Sequence, residues 1–434
     1  MGLLDIFVAA LMPVLKVLLL TALGCGLAID RVDILGEDAR KHLNNVVFFV
    51  FNPALVVSNL GGFITYKSVA ILWFMPLNIL LTFIIGSVLG WMLIKYTRTP
   101  HSLRGLVLGC CAAGNLGNMP LIIIPAICKE RGSPFGAADT CYLHGMAYAS
   151  LSLAIGAIYN WSYVYNLVRL YSRSSSTGAE ENDSRSILLS IDEDDNQFAG
   201  EYIGQGKPML ASYFAENKPK ETICSFNHWG GTLFFSHNLY FVISIRSYGC
   251  ISYNLILTQI FPLLEDHIIL DQVISSFVMQ IAGFAIAIIP QLRKALIGDS
   301  APLRVLQNSA SMLGDAAIPT VTIVMGANLL KGLKGSVIQL PVVMGIVAVR
   351  YVALPMFGIL IVRGGVFLGL VKLDPLYQFV LLLQFALPPA MNIATMTQMF
   401  EVGERECSVI MLWTYALASV ALTFWSAFFM WLVA

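Results

Sequence analysis

Charge is what this chain has least of. Of its 434 residues only 12% are charged, about half the share of roughly 25% found in soluble domains. The 26 basic and 26 acidic residues cancel to a formal net charge of zero. No basic stripe is present, which argues against a nucleic-acid partner. None of the 8 cysteines stands in a CxxC pair. That argues against a zinc site or a disulfide framework and leaves them as small apolar residues. Gly105 to Gly114 is not followed by Gly-Lys-Ser/Thr, so ATP-driven transport by this chain has no support. HExxH, G-x-S-x-G and an intramembrane aspartate pair are all missing, and with them any nucleophile–base constellation for an enzyme. No metal or cofactor is implied.

What the chain has instead is apolar length. Hydrophobic residues make up 57% of it and the mean hydropathy is +0.75, the composition of a multi-pass membrane protein. Spans of about 20 apolar residues are expected near 6–28, 40–60, 69–94, 103–128 and 141–168. Five more follow near 268–290, 305–330, 337–361, 376–400 and 407–433. The first stretch, Ile6 to Ala28 with the single Lys16, is longer than a signal-peptide core and has no basic segment before it. It reads as an uncleaved span.

Four regions result: a five-helix repeat at 1–170, a polar loop at 171–223, an atypical insert at 224–267 and a second five-helix repeat at 268–434. The loop carries Asp192-Glu193-Asp194-Asp195 and many Ser and Gly. That composition cannot bury a core and predicts disorder, with Ser190 either a phosphorylation site or plain linker. The run Leu233–Leu264 is apolar and aromatic but is interrupted by His237 and Arg246. It could be an eleventh span, an interfacial helix or an irregular insert. The non-spanning readings agree better with the internal repeat.

That repeat rests on prolines. Phe51-Asn52-Pro53 leads to Asn59-Leu60-Gly61-Gly62, as Ile318-Pro319 leads to Asn328-Leu329-Leu330-Lys331-Gly332. The fourth span breaks at Pro120, the ninth at Leu387-Pro388-Pro389-Ala390-Met391-Asn392. From Pro53 to Pro120 is 67 residues and from Pro319 to Pro388 is 69. An odd number of spans in each half makes the two repeats inverted. The expected fold is therefore all-α, ten membrane helices in two inverted five-helix repeats, with broken helices 4 and 9 crossing at mid-membrane.

Positive charge in the first half (Arg31, Arg40, Lys41, Lys95, Arg98 and Arg104 on one side) puts the N-terminus outside or in a lumen and the 171–223 loop in the cytoplasm. The second half, with Arg293, Lys294, Arg304, Arg363 and Lys372, pulls the other way. The sequons at Asn160 and Asn182 then face the cytoplasm and stay unmodified.

The break itself, Gly114-Asn115-Leu116-Gly117-Asn118-Met119-Pro120, is the candidate site. Pro120 has no N–H and clashes with the preceding turn, and freed backbone groups inside hydrocarbon must face protein or a polar cavity. Two half-helix N-termini would offer N–H groups and positive dipole ends to an anion such as a carboxylate. Asn115, Asn118 and Asn392 add amides without buried charge, and with Pro120, Pro388 and Pro389 at the breaks they make up the expected substrate-binding set. A packing kink is the alternative reading of either break alone. Asp315 could bind a proton or sodium, cap a helix end, or pair with Arg350. Phe48, Phe49, Phe51 and Tyr142 could stack on a ring or simply pack.

Several of these segments resemble one family. Phe51-Asn52-Pro53-Ala54-Leu55, Gly114 to Leu121, Ile289-Pro290-Gln291-Leu292-Arg293-Lys294, Gly298-Asp299-Ser300-Ala301-Pro302-Leu303, Gly326-Ala327-Asn328-Leu329 and Ala386-Leu387-Pro388-Pro389 are similar to the plant PIN-LIKES proteins, a branch of the auxin efflux carrier superfamily. The resemblance covers about 1–170 and 280–434. It implies ten spans with a helical crossover at the binding site, residence in the endoplasmic reticulum membrane, and carriage of indole-3-acetic acid that limits nuclear auxin signalling. Residues 224–275 depart from the pattern. A sodium-coupled organic-anion symporter, or a membrane receptor or scaffold acting through the 171–223 loop, are the competing expectations. Lipid surrounds the spans in every case, and a homodimer is an open arrangement.

Overall fold

A computed structural model describes residues 3–29, 31–64, 71–130, 133–172, 278, 281–298, 300–332, 338–400 and 402–433. The expected insert at 224–267, and the expected loop at 171–223 beyond its first two residues, lie outside these. The described part is helical, and no strand is present among the described residues; the one β-type contact is an isolated bridge.

Among the described residues six helical stretches are long and apolar enough to cross a membrane: 37–63, 74–97, 138–172, 304–329, 340–367 and 404–433. The spans expected at 103–128 and 376–400 are not in that set because each is two short helices. The first gives α5 (His101–Ala112) and α6 (Asn118–Lys129), of 12 residues each. The second gives α13 (Pro375–Ala386) and α14 (Asn392–Met399). Twelve residues of helix reach about 18 Å, well short of the roughly 30 Å of hydrocarbon. The inner ends of these helices must therefore be satisfied by other parts of the protein.

The remaining elements are α1 (Leu3–Leu27), α2 (Glu37–Val46), α3 (Asn52–Phe63), α4 (Phe74–Thr97), α7 (Ala138–Tyr159), α8 (Pro290–Leu296), α9 (Arg304–Asp315), α10 (Ala317–Gly332), α11 (Leu340–Ala348), α12 (Leu354–Phe367) and α15 (Glu404–Val433). Among the described residues three long helices contain a π turn. Val47–Phe51 joins α2 to α3, Asn160–Val164 follows α7, and Val349–Ala353 joins α11 to α12. Proline accounts for two of them. Pro53 and Pro355 have no N–H for the usual bond four residues back, and just before each the ladder slips by one. Asn52 donates to the Val47 carbonyl, and Leu354 to that of Val349, five residues earlier.

The seventh span breaks a little earlier than its proline suggested. α9 stops at Asp315 and α10 restarts at Ala317. This leaves Pro319 in the first turn of the new helix, where a missing N–H costs nothing.

Packing between helices relies on small residues. α1 and α10 touch backbone to backbone, since a Cβ on Gly24 would overlap the Ile323 carbonyl and one on Gly326 the Thr21 carbonyl. Arginines close two helix ends. Arg293 donates through Nη1 to the carbonyls of Gly61 (3.0 Å) and Ile64 (2.6 Å) at the end of α3. Arg40 donates to Ala327 (3.0 Å) near the end of α10. At α3 the cation meets carbonyls that the helix end cannot satisfy itself. At the opposite kind of end, Asp374 caps α13, its Oδ1 accepting from the N–H groups of Leu376 (3.0 Å) and Tyr377 (3.3 Å).

The cysteines are not all plain apolar filler. Cys128 and Cys141, 13 residues apart with a Cα–Cα distance of 5.5 Å, are joined in a disulfide. The bond ties the end of α6 to the start of α7. No short cysteine motif announces it, because the helix ends bring the pair together rather than their spacing in sequence. Cys25, Cys110, Cys111 and Cys407 are free.

Candidate functional site

The two broken helices meet at their breaks. Asn115 donates its backbone N–H to the Pro388 carbonyl (2.8 Å), and Ala390 donates to the Ala113 carbonyl (3.0 Å). Gly114 and Pro389 thus form an antiparallel bridge. Each unwound segment supplies the hydrogen bond the other has lost, which is how backbone without helix survives away from water.

Side chains lock this junction. Asn115, only 5% exposed, turns both amide heavy atoms to protein partners. Its Oδ1 accepts from the Asn118 N–H (3.2 Å) and so caps α6, while its Nδ2 donates to Tyr415 Oη (2.9 Å). Tyr415, on α15, in turn donates to the Pro389 carbonyl (2.8 Å). One tyrosine hydroxyl therefore links both breaks. Behind the junction, Asn78 Nδ2 donates to Gln384 Oε1 (2.8 Å) and Gln384 Nε2 to Ser152 Oγ (3.1 Å), an uncharged buried chain.

Arg350, carried on a π turn and fully buried, donates through Nε to the Cys110 carbonyl (2.7 Å) near the C-terminal end of α5. Its Nη1 and Nη2 have no hydrogen-bond partner. It is the one charged side chain among the buried polar residues described. The pairing of Asp315 with Arg350, one of the options open from sequence, does not form. Asp315 sits exposed at the end of α9 and does not line the cavity described next.

A cavity of ≈ 90 Å³ opens against the junction, room for roughly six water-sized centres. Asn115, Asn118 and Asn392 all line it, so residues 277 positions apart in sequence share one site. Pro120, Pro388 and Pro389 do not line it; they shape the breaks from behind. The N–H groups of Gly117, Met391 and Asn392, at the starts of α6 and α14, make no backbone hydrogen bond among the described residues, and all three residues face the cavity. Gly156 lets α7 press onto this segment: a Cβ there would stand 2.7 Å from Leu116 Cβ.

Across the cavity lies an aromatic wall, Phe48 and Trp161 in edge-to-face contact at 5.3 Å between ring centroids. Of the four aromatics singled out from sequence, Phe48 alone is among the lining residues. Phe49 is 44% exposed on the outer surface, and Tyr142 packs on Phe63 and beneath Lys129. A second cavity of ≈ 50 Å³ shares Phe48, Asn52, Val321, Met391 and Asn392 with the first and continues to Asn44, Asn328, Gln398 and Ser408.

Comparison with known proteins decides the family. Residues 9–426 match the membrane transport protein family. Two Arabidopsis thaliana proteins, PIN-LIKES 1 and PIN-LIKES 3, are each 48% identical over the whole of this chain, which spans 81% and 99% of their lengths. The chain belongs to the PIN-LIKES proteins. Arabidopsis PIN-LIKES 4 is 43% identical over the full length of both chains. The family is one of membrane transporters, that of the auxin efflux carriers.

Within that family the crossing of the two breaks is the feature to explain. Sequence reasoning found its backbone and its asparagines through Gly, Asn and Pro inside apolar runs. It missed Tyr415, Gln384, Asn78 and Trp161, which sit in ordinary-looking helices and give no local signal. Arg350 was noticed only as a partner for Asp315. Asn160 was read as a sequon, yet it is 3% exposed within a helix and has no room for a glycan.

Proposed function

We propose that this protein carries a small aromatic carboxylate, indole-3-acetic acid, across the endoplasmic reticulum membrane, and that by doing so it limits nuclear auxin signalling. The proposed frame is ten spans in two inverted five-helix repeats with the crossing at mid-membrane. The reciprocal bonds of Asn115 with Pro388 and of Ala390 with Ala113 support it, since each break completes the other. So does the mirrored use of Arg40 on α10 and Arg293 on α3.

The observation that carries the substrate class is the convergence of unbonded N–H groups at Gly117, Met391 and Asn392 on one cavity. Helix N-termini favour an anion. In this reading the amides of Asn118 and Asn392 and the two helix ends hold the carboxylate, Asn115 fixes the geometry, and Phe48 and Trp161 take the ring. Arg350 adds positive potential from behind, which favours an anion over sodium at this place.

Uptake of labelled indole-3-acetic acid into vesicles holding the full chain tests this. Asn118→Ala and Asn392→Ala should each cut uptake at low substrate about tenfold, the loss of one hydrogen bond to a charged group. Asn115→Ala should abolish it. Uptake equal to wild type in all three would refute the site, and equal accumulation with and without the protein would refute the carrier.

A further inference from the structure

We infer that the second cavity is an outer substrate subsite. The acid enters from the membrane face at which α2 and α15 begin, is held first by the amides of Asn44, Asn328 and Gln398, and then passes inward to the crossing. This inference rests on the carrier reading above and adds the side and the path of entry.

The second cavity, of ≈ 50 Å³, meets the first at a neck formed by Phe48, Asn52, Val321, Met391 and Asn392. From there it runs along α14. Asn392, Thr395 and Gln398, one on each successive turn, all line it, and six residues of helix span about 9 Å. Gln398 stands one residue from the end of α14 and is exposed, so the cavity reaches the surface there. The other walls agree on the face. Asn44 lies on α2, Asn328 four residues before the end of α10, and Ser408 four residues after the start of α15. Arg31, Arg40 and Lys41 stand about the start of α2, and positive charge of this kind marks a cytoplasmic face. On the other side of the crossing, Leu55 of the first cavity is covered by α9, where a Cβ on Gly314 would stand only 2.7 Å from Leu55 Cα.

An amide or hydroxyl inside an apolar bundle ordinarily bonds to a neighbouring helix. The side chains of Asn44, Asn328, Thr395 and Gln398 make no such bond among the described residues. A polar strip open to a cavity adds nothing to packing. It suits a solute that exchanges water for amide donors as it enters. Each amide offers a carboxylate two N–H donors and no charge, while Val324, Met325 and Met411 give the ring an apolar side. The crossing adds two helix starts and the potential of Arg350 to the same kind of donor. The acid is therefore held more weakly in the outer subsite than at the crossing, and Asn392, which lines both cavities, receives it.

The test follows labelled indole-3-acetic acid on the full chain in two ways. Equilibrium binding to the detergent-solubilised protein reads the crossing, and initial uptake into vesicles at low substrate also reads the way in. Asn44→Leu combined with Asn328→Leu should lower uptake about tenfold, the loss of one hydrogen bond to a charged group, and leave binding within about twofold of wild type. Asn44→Ala with Asn328→Ala carries the same comparison if the Leu pair does not fold. Gln398→Cys reports the side. In sealed microsomes an anionic, membrane-impermeant methanethiosulfonate added at the cytoplasmic surface should label this variant above the wild-type background, in which Cys110, Cys111 and Cys407 are buried. Unchanged uptake in the paired variant, binding and uptake lowered together, or no labelling of Gln398→Cys from the cytoplasmic surface overturns the outer subsite while the carrier stands. A wild type that neither binds nor takes up the acid overturns the carrier reading and this inference together.

Discussion

Tyr415→Phe removes one oxygen from the junction and nothing else. The ring stays, so no cavity forms. What is lost is the acceptor for Asn115 Nδ2 (2.9 Å) and the donor to the Pro389 carbonyl (2.8 Å). Tyr415 is 5% exposed, and the two groups it satisfies, on Asn115 and Pro389, are themselves buried. Each buried group left unsatisfied costs about 1–3 kcal/mol, so the variant should lose roughly 2–4 kcal/mol. Tyr351→Phe is the internal control. Its Oη makes one bond, to the Thr414 carbonyl (2.6 Å), and should cost about half as much. Thermal unfolding of the detergent-solubilised proteins gives the order, and vesicle uptake gives the functional cost, which should fall on Tyr415→Phe. A cycle with Asn115→Ala is the sharper assay, because groups sharing one network are not additive. The double variant should be about 1 kcal/mol or more better than the sum of the singles. Additivity within roughly 0.5 kcal/mol, or equal losses for the two tyrosines, would refute the claim that one hydroxyl binds both breaks together.

Arg350→Lys should lower uptake more than it lowers stability. An ammonium can still reach the Cys110 carbonyl but cannot reproduce the planar fork of the guanidinium; unchanged uptake would count against the role assigned to Arg350. Gly326→Val places methyl groups against the Thr21 carbonyl and should prevent α1 and α10 from closing. Loss of monodisperse protein on size-exclusion chromatography is the expected result. Asp374→Ala removes the cap of α13 and the acceptor of Tyr148 Oη (2.6 Å), and should cost about 1–2 kcal/mol in thermal unfolding with uptake at permissive temperature retained. Indole-3-acetamide, the uncharged counterpart of the proposed substrate, should compete at least about tenfold more weakly than the acid, since hydrogen bonds to a charged group are worth about twice neutral ones; equal competition would remove the anion from the argument.

The parts of the fold legible in sequence were those enforced by backbone chemistry. Proline in an apolar run has one physical meaning, a missing N–H, and Pro120 and Pro388 mark helix ends within a few residues. Pro319, used in sequence only to match the depth of Pro53, lies in the first turn of α10, where a missing N–H costs nothing. The matched spacing of the breaks gives the expectation that they share one site, and the Asn115–Pro388 and Ala390–Ala113 bonds bring them together; nothing local points to their bonding partner Tyr415. A tyrosine in an apolar helix is usually core or lipid-facing, and only three dimensions place its hydroxyl between two unwound strands. Asn160 shows the reverse error. Its Asn-Trp-Ser triplet carries a motif, and the motif drew attention from the simpler fact that an asparagine lies inside a membrane-length helix.

The chemistry around the junction is biased in one direction. Among the described residues the buried polar side chains are amides, hydroxyls and a single guanidinium, with no carboxylate. A buried cation without a counter-ion is costly, and the two guanidinium nitrogens of Arg350 have no bond to offset it. The C-terminal end of α5, with its Cys110 carbonyl, offsets part of that cost. An anion settling at the starts of α6 and α14 would offset more, and would do so without any of the asparagines changing charge. In the proposed binding mode, neutral amides and helix ends hold the carboxylate without a direct ion pair that release would have to break. In the same proposed mode a carboxylate at that place would oppose the anion, and Asp315 stands outside the cavity, exposed at the end of α9.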